Sequence, residues 1–257
     1  MKDIELNPLT KGQRKLLQLG IILILGIFLI GYFFLVSKRN STVYLENQNL
    51  HVFDDSITFT YPDRLSMHSP YLLVVKPEKQ ITYIYNLEQK KKEKEVKEIA
   101  LDYQNGKLLY VKGATTFIDT QDLGVLCEQG IIKSEQELLC VTKVNPNSIQ
   151  NKLISIDLET KKQKDIYISQ NIISDVNFID KSYYIGEIDF KNNKSYLVIN
   201  GSKPIKSPNI VSLIYEMNGG VYFASFKSAL NQEKESYYAV IENKAAKQED
   251  NKIYLLK

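Results

Sequence analysis

The stretch that decides the fold is Leu153–Lys164, with the sequence LISIDLETKKQK. Its first half has the length and the branched apolar residues of a β-strand, and Asp157 then begins a polar turn. The same pattern, a strand that ends in Asp, Asn or Glu, occurs five times. The five terminal polar residues are Asn86, Asp119, Asp157, Asn200 and Glu242. Their steps of 33, 38, 43 and 42 residues predict a repeated structural unit.

Each unit contains further strands. A second apolar run precedes each copy, at Leu72–Val75, Leu108–Val111, Leu138–Val141, Tyr183–Gly186 and Val221–Ala224. Four of these runs follow another apolar run and a turn, and one such turn is Asn105-Gly106, a pair that favours a tight hairpin. Four strands in about 40 residues is the content of a propeller blade. We therefore predict an all-β fold, a β-propeller of about five four-stranded blades. A β-sandwich or a stacked β-meander is the alternative.

The segment Leu153–Lys164 also resembles the strand-Asp-Leu-x-Thr-Gly-Lys turn of the YVTN/PQQ-like propeller repeats. Lys161 stands where those repeats have glycine, and the chain lacks the tryptophan of the PQQ type. The resemblance is at the level of the repeat and extends over roughly residues 61–257. It implies a β-propeller domain.

The segment Leu16–Val36 is an uncharged run of 21 residues. As a helix it would span about 31 Å, the thickness of a hydrocarbon core. A cleaved signal peptide is the main alternative, but its apolar region is usually only about 7–15 residues long. Four basic residues precede the run and two follow it, so we expect the N-terminus in the cytoplasm. The predicted organisation is a cytoplasmic tail (1–15), one transmembrane helix (16–37), a membrane-proximal linker or hairpin (38–60) and an extracytoplasmic β-propeller domain (61–257).

Composition excludes several function classes. The chain has 257 residues and a formal net charge of +3, so no excess of positive charge indicates nucleic acid as a partner. Two histidines and two cysteines are too few for a Cys/His zinc cluster. The abundance of Lys, Ile and Asn, with only three arginines, is typical of an AT-rich bacterial genome.

Few residues are candidates for chemistry. Cys127 and Cys140 are either a disulfide, which an extracytoplasmic site would permit, or two buried thiols. His51 and His68 are interpreted as surface or hairpin residues. The charge run at 90–98 is interpreted as an exposed outer strand, with contact to anionic lipid as the alternative. The predicted inner strands carry four polar candidates, Asp102, Lys133, Asp175 and Glu216, which do not match a known catalytic set.

These observations predict a binding or scaffold protein that is not an enzyme. No catalytic, cofactor-binding or metal-binding residue is assigned, and no cofactor is expected. The expected location is the cytoplasmic membrane, with residues 16–37 in lipid and the propeller outside. The expected partner is another envelope protein or polymer within an envelope-associated assembly. A membrane-bound enzyme with its site in the central funnel and a transmembrane sensor subunit are the alternatives.

Overall fold

The computed structural model describes residues 42–46, 48–60, 62–207, 210–217, 220–224 and 252–256. Its first three strands are β1 (Val43–Glu46), β2 (Asn49–Val52) and β3 (Asp55–Thr58). Blades 1 and 2 follow as β4 (Arg64–His68), β5 (Tyr71–Lys76), β6 (Ile81–Asn86), β7 (Lys91–Val96), β8 (Ile99–Gln104), β9 (Lys107–Lys112), β10 (Thr115–Ile118) and β11 (Gln121–Asp122). Blades 3 and 4 are β12 (Gln129–Ile132), β13 (Glu137–Lys143), β14 (Asn151–Asp157), β15 (Gln163–Ile168), β16 (Ile172–Ile179), β17 (Ser182–Asp189), β18 (Lys194–Ile199) and β19 (Ile205–Ser207). The described strands of blade 5 are β20 (Leu213–Met217) and β21 (Gly220–Ala224), and β22 (Lys252–Leu256) is the last strand.

The fold is a five-blade β-propeller. Each of blades 1–4 is a four-stranded antiparallel sheet whose strands pair in chain order. The inner strands β4, β8, β12, β16 and β20 lie side by side in that order, and β20 lies next to β4, so the ring closes. This confirms the predicted all-β propeller with about five blades, and the sandwich and meander alternatives are wrong. The last predicted copy of the third strand, Ala239–Glu242, lies outside the described residues.

The first and last described strands of the chain meet in one further sheet. β22 pairs antiparallel with β1, and the sheet continues through β2 to β3. Val43, Leu45 and Leu50 of this sheet share a buried core with Met67 of blade 1 and Tyr215 of blade 5. Residues 43–58, expected within a linker or hairpin, are therefore paired strands. Pairing β22 with β1 covers a strand edge of this sheet that would otherwise be open.

The predicted transmembrane helix at 16–37 lies outside the described residues. Within the described residues, no helix has the length and the apolar character needed to cross a bilayer. The charge run at 90–98 includes β7, whose side chains are mostly exposed at the edge of blade 1. Lys94 of this strand lies 4.2 Å from the ring centre of Tyr103. β7 is thus a charged edge strand, a common protection against edge-to-edge pairing.

The polar residues that end the third strands are turn-formers, as the repeat predicts. Asn86 accepts a hydrogen bond from the backbone N–H of Gln89, and Asp157 accepts one from Thr160. Asp119 and Asn200 accept backbone N–H groups from the second strand of their own blade and have a positive φ of 50° at the turn. Asp and Asn tolerate that conformation better than most residues do, which explains their recurrence at this position.

Candidate functional site

The propeller has two loop faces, which follow from the strand order. The connection face carries the loops between second and third strands and the links from one blade to the next. The hairpin face carries the turns between first and second strands and between third and fourth strands. Two contacts place the entry of the chain at the hairpin face. The backbone N–H of Phe53, beside the β2–β3 turn, donates to the carbonyl of Thr42, which lies just before β1. Asp55 in the same turn region accepts from the hydroxyl of Tyr85, near the end of β6 at the hairpin face.

A buried polar side chain near the start of each described third strand ties its blade to the next one. Thr82 accepts a hydrogen bond from the N–H of Ala100, at 3.1 Å. Asn151 accepts one from the N–H of Ile173, also at 3.1 Å. The four residues with this role, which we call latch residues, are Thr82, Thr116, Asn151 and Ser195. All four are buried, so each satisfies a backbone donor that water does not reach.

The sequence repeat did not predict the latch residues. Their signal is a Ser, Thr or Asn a few residues before the terminal Asp or Asn of the third strand. The signal is weak because the residue type and the offset both vary from blade to blade.

Asp102, one of the four polar candidates, is a buried structural acceptor. Its carboxylate receives the N–H of Ile132 at 2.7 Å and the N–H of Tyr103 at 2.8 Å. The same oxygen that binds Ile132 lies 2.9 Å from Nδ1 of His68. His68 ends β4 beside the β4–β5 turn, so it is a hairpin residue as expected, and its ring lies against this buried acid. Asp102 joins the inner strands of blades 1, 2 and 3.

The other candidates are dispersed. The Lys133 ammonium lies 2.7 Å from a carboxylate oxygen of Glu137 and 4.9 Å from the ring centre of Phe178. Glu216 is exposed on β20. Asp175 accepts the N–H of Ile214, at 2.6 Å, and thereby links β16 to β20. These positions do not converge on a shared reaction centre.

Asn177 lies further along β16 and connects three inner strands. Its amide nitrogen donates to the carbonyls of Met67 in β4, at 2.8 Å, and of Ile214 in β20, at 2.7 Å. Its amide oxygen accepts the N–H of Phe178 at 2.8 Å. The side chain is buried and all of its hydrogen-bonding capacity except one lone pair is used.

A cavity opens where the inner strands begin, at the connection face. Its volume is about 80 Å³. We call it the axial cavity, and its polar lining residues are Arg64, Ser66, Glu128, Gln129, Ser174, Asp175 and Ser212. Burial raises the pKa of Asp175 to about 8, although the N–H groups of Ile214 and Val176 and the charge of Arg64 act in the opposite direction. Burial lowers the pKa of Arg64, and the charge of Asp175 opposes this.

Large exposed hydrophobic side chains concentrate on the connection face. Ile149 is 75% exposed and Phe190 is 67% exposed, each in a loop between a second and a third strand. Of the six such side chains among the described residues, five lie on this face: Leu126, Ile149, Ile168, Phe190 and Ile210. The sixth, Ile205, begins β19 at the hairpin face. Leu126 and Ile210 are each two residues from a lining residue of the axial cavity.

Cys127 and Cys140 are joined in a disulfide in the structure, with their Cα atoms 5.3 Å apart. Cys127 lies in the link that leads from blade 2 into blade 3, and Cys140 lies in β13. Both are buried. Within the described part of the chain, no cluster of three His, Cys, Asp or Glu residues is arranged to hold a metal ion.

Comparisons with known proteins add only distant likenesses. No family model and no curated protein matches the chain. Among solved structures, a chain of a nidogen/laminin complex is 8% identical with a TM-score of 0.47, over 72% of this chain and 85% of that one. A Kuenenia stuttgartiensis hydrazine synthase chain is 12% identical with a TM-score of 0.42, over 72% and 70%. Kluyveromyces lactis Hsv2 is 13% identical with a TM-score of 0.38, over 73% and 72%.

Proposed function

We propose that this chain is a membrane-anchored, extracytoplasmic propeller of a bacterial envelope that binds another envelope protein through its connection face. The observation that carries the proposal is the concentration of exposed Leu, Ile and Phe side chains on one face. Apolar side chains that gather on one exposed surface mark interaction sites in soluble domains. Aromatic side chains such as Phe190 are also enriched in protein interfaces. The repeat resemblance adds the expectation that the blades belong to the YVTN/PQQ-like class.

The location rests on two features of the chain. The uncharged run Leu16–Val36 has the length of a membrane span, and its basic flanks favour an N-terminus in the cytoplasm. A disulfide between Cys127 and Cys140 suits an oxidising compartment, where such bonds persist. The chain enters the propeller at the hairpin face, near Thr42. The connection face lies at the opposite end of the strands and is the proposed binding surface.

A binding role fits the described residues better than catalysis. The carboxylate of Asp102 is occupied by hydrogen bonds with the backbone and His68, and the ammonium of Lys133 is paired with Glu137. Asp175 lines the axial cavity, whereas Glu216 on the adjacent inner strand is exposed. An enzyme in the funnel would need polar groups that meet around one reacting atom.

Site-specific photocrosslinking in intact cells tests the binding surface. A photoreactive benzoyl-phenylalanine replaces Phe190 or Ile149, and the matched control carries it at Ile205, which is 54% exposed but lies on the hairpin face. We expect one defined protein adduct from the first two positions and none from the control. Equal adducts from all three positions, or none from Phe190 and Ile149, would refute a partner surface on the connection face.

Protease accessibility tests the location separately. Protease added outside intact spheroplasts should degrade the part of the chain beyond Lys38, because we expect that part outside the cytoplasm. A cytoplasmic marker protein, probed in the same sample, must stay intact. If the propeller resists protease until the spheroplasts are lysed, the proposed orientation is wrong, whatever the crosslinks show.

A further inference from the structure

The guanidinium of Arg64 has few hydrogen-bond acceptors around it. An arginine side chain has five N–H donors. Among the described residues, Arg64 donates one long hydrogen bond, 3.5 Å, to the carbonyl of Glu128. No carboxylate of the described residues lies within ion-pair distance of it. A largely buried charge without a partner is costly, so the open part of the axial cavity beside Arg64 favours an anionic group.

Gln129 presents a second unsatisfied group. Its amide nitrogen donates to the carbonyl of Ser174 in the neighbouring inner strand. Its amide oxygen is buried and has no hydrogen-bond partner among the residues described. A buried acceptor without a partner usually indicates a missing water or ligand group. Gln129 and Arg64 both line the axial cavity, so one occupant can reach both.

The remaining ionisable groups leave the cavity positive. Those that line it are Arg64, Asp175 and Glu128. The Glu128 carboxylate already binds the amide of Asn151 at 2.7 Å and the ammonium of Lys143 at 3.1 Å. Because the pKa of Asp175 is raised to about 8, this carboxyl is mostly protonated at neutral pH. The charge of Arg64 is then not neutralised inside the cavity.

The cavity has room for a small polar group. Its volume of about 80 Å³ is more than a single water molecule needs. A carboxylate with a water molecule therefore fits. A planar carboxylate also matches the fork of a guanidinium, which binds both of its oxygens.

We propose that the axial cavity is a binding site for a single carboxylate group, held by the guanidinium of Arg64. The bound carboxylate accepts from Arg64, and a water molecule or the N–H of the same ligand donates to the amide oxygen of Gln129. The carboxylate comes from a small free acid, a peptide C-terminus or an acidic side chain. The inference does not depend on the proposed partner or on the membrane location.

The test uses the purified full-length chain in non-ionic detergent and ¹³C-labelled acetate, titrated by NMR at constant chloride. We expect saturable binding of one acetate at pH 6.5 and at least about tenfold weaker binding at pH 9.5, where ionised Asp175 repels the anion. Arg64→Gln should lose the saturable binding. The matched control Lys152→Gln removes a cation outside the cavity, one paired with Asp165, and should bind acetate as the unaltered chain does.

Asp175→Asn provides a second test of the site if Arg64→Gln does not fold. An asparagine still accepts the N–H of Ile214 but cannot ionise, so acetate affinity should become the same at pH 6.5 and pH 9.5. The absence of saturable binding to the unaltered chain, equal binding by Arg64→Gln, or an unchanged pH dependence in Asp175→Asn would each overturn the proposal.

Two peptides identify the source of the carboxylate. Acetyl-triglycine carries it only at the C-terminus, and acetyl-Gly-Glu-Gly-amide carries it only on a side chain. Tighter binding of the first indicates a peptide C-terminus, and tighter binding of the second indicates an acidic side chain. Binding of acetate alone indicates a small free acid. Failure of all three probes refutes the site, while the crosslinking result for the connection face stays independent.

Discussion

Replacing Asn177 with alanine should lower the stability of the propeller strongly. The side chain makes three hydrogen bonds, to the carbonyls of Met67 and Ile214 and to the N–H of Phe178. Alanine cannot replace any of them. Since Asn177 is only 3% exposed, the three backbone groups are left with poor access to water.

The size of the effect follows from those three groups. A buried donor or acceptor that loses its partner costs about 1–3 kcal/mol. Some of the three will recover a water or a shifted partner, so we expect the free energy of unfolding to fall by about 3–5 kcal/mol. That is a large part of the stability of a typical domain, about 5–15 kcal/mol. The variant should fold at low temperature and unfold at much lower urea concentration.

Urea unfolding of the full-length chain, followed by circular dichroism in the β-sheet region, measures this effect. The matched control is Asn192→Ala, which removes one exposed side-chain hydrogen bond to Asp189 on a loop of blade 4. Exposed substitutions of this kind usually change stability by only about 0.5 kcal/mol. If the two variants differ by less than about 1 kcal/mol, Asn177 does not join the inner strands as the structure shows.

Three further predictions concern other parts of the propeller. Protein purified from its native source should show no alkylation of Cys127 or Cys140 under denaturing, non-reducing conditions, and reduction should lower the free energy of unfolding by about 3 kcal/mol; two labelled thiols would contradict the disulfide. The raised pKa of Asp175 means that its folded form keeps a proton that the unfolded chain loses above about pH 4. Its stabilising contribution is complete below that pH and decreases by up to about 1.4 kcal/mol per unit as pH rises toward about 8, and Asp175→Asn should remove this part of the slope in urea melts. Gly186→Val should lower the thermal midpoint, because a Cβ at Gly186 would lie 2.8 Å from Oγ of Ser174; an unchanged midpoint would show that the two strands move apart freely.

The order of the strands within the blades was predictable because the same local sequence pattern recurs in each blade. Asn86 and Asp157 terminate strands through turn bonds three residues long, and Asp119 and Asn200 do so through a positive φ, so local sequence shows all four. The disulfide remained one of two alternatives, since spacing alone does not show which face of a strand a cysteine occupies. The pairing of β1 with β22 connects two segments that are far apart in the sequence, so no local pattern indicates it.

There is a physical reason why the sequence did not predict the axial cavity. Arg64 appears in the sequence as one of three arginines, before a short apolar run, with no motif around it. Gln129 and Asp175 are 65 and 111 residues away along the chain. Only ring closure brings them together, because the starts of all inner strands then meet at the axis. Conversely, Asp102 was noticed as a polar inner residue, but its fully satisfied hydrogen bonds make it structural.

The two ends of the propeller axis differ in how their polar groups are used. Toward the hairpin face, Asp102 meets His68, and the Gln104 amide donates to the carbonyls of His68 and Ser69. Toward the connection face, Arg64 and Gln129 retain unused hydrogen-bonding capacity. Polar groups that satisfy one another stabilise the ring, whereas unsatisfied ones favour a ligand. Since the exposed apolar side chains also lie on the connection face, one end of the axis is suited to hold the ring together and the other to bind.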